Sequence, residues 1–78
     1  MTLTLDRLRA DVAEVLDMAP EEIAPQDNLF DLGLDSMRLM ALVMRWQEAE
    51  PALDFTPLWE SATLADWQQA LAAQGAGA

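Results

Sequence analysis

The 78-residue chain contains no cysteine, histidine, lysine or tyrosine. Without cysteine there are no disulfides and no thiolate–metal staples. Without histidine and lysine, general acid–base work falls to carboxylates, and a serine has no imidazole or amine to activate it. Basic charge is scarce too: four arginines stand against 14 acids, for a net charge of −10. Such a surface repels nucleic acid and anionic membranes, so neither is expected as a partner, and it attracts enzymes with basic patches. The same acidity also serves simple solubility. No apolar run is long enough to span a bilayer and no charged-then-apolar leader opens the chain, so the expected compartment is the cytoplasm.

What is present suffices for one small domain. Hydrophobic residues make up 53% of the chain, enough for a core and too many for a disordered segment. A domain of this size has a thin core and modest stability. We expect it to occupy residues 1–74, with 75–78, which include Gly75 and Gly77, as a flexible tail or linker remnant. No internal repeat or second domain is visible, and the domain is expected to be monomeric on its own.

The chain is organised around Asp31-Leu32-Gly33-Leu34-Asp35-Ser36-Met37-Arg38-Leu39-Met40. Gly33 gives backbone freedom for a turn. Asp35 is a good N-cap, which puts Ser36 at the first position of an apolar helix. The positive end of a helix dipole favours anions, so a phosphate ester on Ser36 would be well placed. The segment Gly33-Leu34-Asp35-Ser36-Met37 does not fit the Gly-x-Ser-x-Gly nucleophile elbow. Ser36 reads as a serine that another enzyme modifies.

Periodicity supplies the scaffold. Leu5, Leu8, Val12, Val15 and Leu16 share a face, predicting a helix from about Leu5 to Asp17 capped by Thr4 and ended by Ala19-Pro20, with Asp6, Arg7, Asp11, Glu14 and Asp17 off that face. Residues 18–35 form a long connection broken by Pro20, Pro25, Asn28 and Gly33. Ile23, Leu29, Phe30 and Leu32 are spaced to pin it to the core, and Glu21-Glu22 suit a brief helical turn. Asp27, Asp31 and Asp35 do not match the spacing of a calcium loop, so no metal site is expected.

A second helix is predicted from Ser36 to about Glu48, with two stripes. Leu39, Leu42, Val43 and Trp46 form the expected core face. Met37, Met40 and Met44 lie nearly opposite and are either core filler or an adaptable partner surface. Arg38 and Arg45 flank the stripes as solvated charges, partners of nearby acids or, for Arg38, a partner-selecting contact. Thr56 as cap and Pro57 at the first position open a short third helix. Thr63 with Asp66 forms a capping box for a fourth, whose core stripe is Leu64, Trp67 and Leu71. The fold class is all-α, a small four-helix bundle.

The central stretch resembles the prosthetic-group site of the acyl and peptidyl carrier proteins, whose core pattern is Asp-Ser followed by an apolar residue. The form Leu32-Gly33-Leu34-Asp35-Ser36-Met37-Arg38-Leu39-Met40 is most similar to aryl carrier domains of nonribosomal siderophore synthesis. Fatty-acid carriers usually place an acid where Arg38 stands, and most peptidyl carriers place histidine where Asp35 stands. The resemblance covers roughly residues 4 to 73. It implies 4′-phosphopantetheine, moved from coenzyme A onto Ser36 by a phosphopantetheinyl transferase, with Asp35 contributing to transferase recognition. It further implies an adenylating ligase that loads an aryl acid of hydroxybenzoate type as a thioester, and a condensation domain that takes it. The second helix, through Met37, Arg38, Met40 and Met44, and the short third helix and its approach, through Phe55, Leu58 and Trp59, would dock these enzymes. For Phe55 and Leu58 a core position is an equal alternative. A different cargo, amino acid or acyl chain, and an unmodified helical adaptor are the competing readings.

Overall fold

The computed structural model describes residues 3–75. Three α-helices form the domain: α1 over Leu5–Leu16, α2 over Ser36–Ala49 and α3 over Leu64–Ala72. Two short 3₁₀ segments, Pro20–Glu22 and Thr56–Trp59, interrupt the connections. Among the described residues there is no strand. The all-α expectation holds, with the short third helix realised as a single 3₁₀ turn.

Each α-helix starts on a side-chain cap from the sequence. Thr4 Oγ1 accepts the Arg7 N–H at 3.2 Å, Asp35 Oδ1 that of Arg38 at 2.9 Å, and Thr63 Oγ1 that of Asp66 at 3.2 Å. These bonds satisfy N–H groups that the first turn of a helix leaves unpaired. Leu3 and Leu8 occupy the positions of a hydrophobic staple around the Thr4 cap, and both are fully buried. The end of α1 differs from expectation. Asp17, not Ala19-Pro20, stops it by adopting the left-handed conformation (φ 57°, ψ 47°) and returning its N–H to the carbonyls of Ala13 and Glu14. Aspartate tolerates that conformation better than most side chains.

Helix α1 packs on both α2 and α3. Leu8 and Val12 from α1, Leu39, Leu42 and Trp46 from α2, and Leu64, Trp67 and Leu71 from α3 are all fully buried in one cluster. Leu5, Val15, Leu16 and Val43 pack half-buried at its edge. Trp46 and Trp67 meet edge-to-face across α2 and α3, ring centroids 6.1 Å apart, a favoured geometry for aromatic quadrupoles. Their indole N–H groups are satisfied by Asp11 Oδ2 at 2.8 Å and the Ser61 carbonyl at 2.9 Å. Asp11, expected on the solvent face of α1, is instead 9% exposed. It also accepts from Arg7 Nε at 3.0 Å and lies 3.5 Å from Arg45 Nη1, while Arg45 Nη2 reaches Glu14 at 3.4 Å. Arg45 is thus a partner of α1 acids.

The connection before α2 is held as a defined loop. Ile23, Leu29 and Leu34 are buried, Leu32 is half-buried, and Phe30 is exposed at 43%. Phe30 therefore departs from its expected anchoring role. Asn28 Oδ1 accepts the N–H groups of Phe30 and Asp31 at 2.9 and 3.3 Å, and this local turn sends Leu29 inward and Phe30 outward. The loop is also tied to the approach to α3, by Leu29 N–H to the Ala62 carbonyl at 2.8 Å and Ala65 N–H to the Pro25 carbonyl at 3.0 Å.

The second 3₁₀ segment corrects two expectations. Its cap position is Phe55, so Thr56 and Pro57 open the turn, and the Thr56 N–H is taken by Asp54 Oδ1 at 3.0 Å. Hydrogen bonds from the Thr56 hydroxyl and N–H hold the Asp54 carboxyl below its ordinary pKa. Phe55 and Leu58 are buried, at 4% and 0% exposure, and do not face a partner. At three residues per turn, positions three apart fall on one side, so both point into the core and Trp59 turns out. Gln74, past the end of α3, pairs with both backbone groups of Asp54 (2.8 and 2.9 Å) and fixes the approach to this turn. The expected tail lies outside the described residues beyond Gly75.

Candidate functional site

Ser36 is the first residue of α2 and is exposed. The turn that delivers it is closed by three backbone bonds: Leu32 N–H and Leu34 N–H to the Leu29 carbonyl, both 3.1 Å, and Gly33 N–H to the Phe30 carbonyl at 3.2 Å. Gly33 sits at φ +114°, a conformation that side-chain-bearing residues rarely adopt. A Cβ there would meet only ordinary contacts, 3.8 Å to Arg38 Nη1 and 3.9 Å to Leu16 Cδ2, so the constraint is backbone strain and not space. Gly33→Ala is therefore expected to cost about 1–2 kcal/mol in chemical denaturation, because the turn must shift to relieve the strain.

Asp35 has extended backbone (φ −134°, ψ 179°) and turns its carboxylate onto the Arg38 N–H. That arrangement spends the acid on the helix end and leaves the Ser36 hydroxyl open to solvent, at the positive end of a 14-residue helix. Asp35→Ala should lower stability by about 1 kcal/mol through loss of the cap, read as a shift of the unfolding midpoint. Asp27, placed earlier among three spaced acids, serves the backbone as well, accepting the Ala24 N–H at 2.9 Å.

Beside Ser36, α2 presents its methionine stripe. Met37 is 83% exposed, Met40 54% and Met44 63%. Of the two expected places for this stripe, core filler or surface, the structure shows the surface. Trp59, at 44%, is the other exposed large apolar group of the predicted set, while Phe55 and Leu58 belong to the core. Phe30 is exposed to a similar degree and was missed by sequence reasoning. The Asn28 turn was the available signal, since it inverts the inside–outside order of the two residues that follow it. Arg38 donates through Nη1 to the Gly33 carbonyl at 2.9 Å. None of its three expected roles included a backbone acceptor.

The start of α2 thus combines an exposed serine, the positive helix end and exposed methionines. Comparison with known proteins gives the class. A family model for the phosphopantetheine attachment site matches residues 6–71, and the chain belongs to that family of non-catalytic carrier proteins, which bear 4′-phosphopantetheine. It is 41% identical over 76 residues to acyl carrier protein ScoB of Streptomyces coeruleorubidus, covering 97% of this chain and 89% of that one. It is similar to part of two larger proteins: 39% identical to enterobactin synthase component B of Escherichia coli K12 and 41% to phenyloxazoline synthase MbtB of Mycobacterium tuberculosis H37Rv. Those matches cover 82% and 85% of this chain but only 22% and 5% of the relatives. No solved structure matches significantly.

Proposed function

We propose that the protein is an aryl carrier of nonribosomal siderophore synthesis, with the phosphopantetheine arm on Ser36. The observation that carries the attachment site is the exposed Ser36 hydroxyl on the first turn of α2, with the neighbouring Asp35 charge directed into the helix end. The residues fit the group. A phosphodiester at this position meets the positive end of the helix and no buried surface. The arm, when present, supplies the thioester chemistry; the chain supplies attachment, orientation and a surface for recognition.

Partners in this reading are a phosphopantetheinyl transferase, an adenylating ligase for an aryl acid of hydroxybenzoate type, and a condensation domain, all in the cytoplasm. The exposed large apolar side chains Met37, Met40, Met44, Trp59 and Phe30 are the candidates for the apolar part of the docking face. With 14 acids against four arginines, two of them paired with α1 acids, the surface as a whole is strongly acidic and suits basic-rimmed enzymes. A small apolar patch favours weak, reversible docking, which sequential handover requires. The aryl cargo is supported by the likeness to a phenyloxazoline synthase and an enterobactin synthase component. A second reading, an acyl cargo, is favoured by the acyl carrier protein that matches over nearly its whole length.

Intact mass after incubation with coenzyme A and a broad-specificity transferase tests the site. The expected result is the gain of one phosphopantetheine. The loaded form is then offered to an aryl-acid ligase and to an acyl ligase. Acylation by the first alone supports the aryl reading, and acylation by the second alone replaces it.

A further inference from the structure

The geometry points to Arg38 as a positioning residue for Ser36, a latch that holds the attachment turn closed from inside the chain and not a contact for a partner enzyme. This rests on the reading of Ser36 as the attachment serine.

Arg38 is bound to the turn from both of its ends. Its backbone N–H is taken by Asp35 Oδ1 at 2.9 Å, and its guanidinium Nη1 donates to the Gly33 carbonyl at 2.9 Å. The chain from Gly33 to Arg38 is thereby closed into a ring, and Ser36 lies within that ring. On the far side, the turn is closed by the bonds of Gly33 N–H to Phe30 and of Leu34 N–H to Leu29. Gly33 is the shared member: its N–H belongs to the turn, its carbonyl to Arg38. Its positive φ directs the carbonyl at which the guanidinium arrives, so the strained residue and its stabilising partner are coupled. A carbonyl in an exposed turn has water as its alternative partner. The fixed fork of a guanidinium competes with water at lower entropic cost than a freely rotating donor does. An arginine here orients the serine before any enzyme arrives, and its charge is already directed at the turn.

A partner contact and a latch make different predictions for the protein on its own. Arg38→Met keeps most of the side chain and removes the donor. Amide hydrogen exchange of the unmodified protein then reads the turn directly. Loss of one hydrogen bond of this kind should speed exchange at the Gly33 and Leu34 amides about fivefold. The Leu8 and Trp67 amides, bonded to Thr4 and Thr63 at the starts of α1 and α3, should exchange as in the parent and report an intact fold. The kcat/KM for transferase modification of Ser36 should fall by a similar factor. Arg38→Lys, whose freely rotating ammonium still offers a donor but competes less well with water, should restore both in part, to between the Arg38→Met and parent values. Unchanged exchange at Gly33 and Leu34 in Arg38→Met overturns the latch, and slower modification alongside it would make Arg38 a partner contact. Faster exchange with unchanged modification overturns the positioning role. A parent protein that gains no phosphopantetheine overturns the reading of Ser36 itself. That failure shows in the parent and so is distinct from any failure of the variant.

Discussion

Ser36→Ala is expected to abolish the gain of phosphopantetheine completely while leaving the domain as stable as the parent, within about 0.5 kcal/mol. The two halves of that result come from different physics. On the proposed attachment, the modification uses the oxygen nucleophile at the exposed first position of α2, and alanine has none. Stability needs the Asp35 cap and the buried Leu39, Leu42 and Trp46 face, and the substitution touches neither. Alanine is moreover the best helix former, so the α2 start loses nothing in propensity. Intact mass and a denaturation midpoint measured on the same sample check both halves together. Modification that persists in Ser36→Ala would move the site elsewhere; the hydroxyls of Thr56, Ser61 and Thr63 would be next to test. A large loss of stability would instead give Ser36 a structural role that its exposed position does not indicate.

The helix faces were readable because each is written in local spacing. Leu39, Leu42 and Trp46, like Leu64, Trp67 and Leu71, recur at helical intervals and are buried as that period demands. The caps Thr4, Asp35 and Thr63 were equally legible, since each bonds only three residues ahead. Ser36 was found by the same local logic, one residue past a cap. What escaped was set by partners distant in sequence or by backbone. Asp11 was assigned to solvent by its charge, yet its burial comes from an indole 35 residues away. Phe55 and Leu58 stand four residues and one residue before an exposed tryptophan, and only the 3₁₀ period separates them from it. Arg38 was weighed against acids and enzymes, whereas its acceptor is a carbonyl five residues back, which no side-chain pattern displays.

The largest stability effect is expected from Asp11→Ala, at about 2–3 kcal/mol. The carboxylate joins α1 to α2 by accepting the Trp46 indole at 2.8 Å, with Arg7 at 3.0 Å and Arg45 at 3.5 Å around it. Removing it strands the Trp46 N–H within a fully buried residue, at about 1–3 kcal/mol. The arginine pairs add less, because both guanidinium groups are a third or more exposed and solvent screens them. A domain of this length has total stability on the order of 4–12 kcal/mol, so the loss is a large fraction of the whole. The melting temperature should fall by about 10–20 °C. Asp11→Asn keeps an amide oxygen for the indole and should recover roughly half of the loss. The decisive comparison is with Trp46→Phe. In that background no indole is left to strand, so Asp11→Ala should cost at least about 1 kcal/mol less than it does in the parent. Equal costs in the two backgrounds would mean that the arginines, and not the indole, keep Asp11 in the core. The tie between α1 and the helix that carries Ser36 would then be electrostatic, and it would weaken as salt is added.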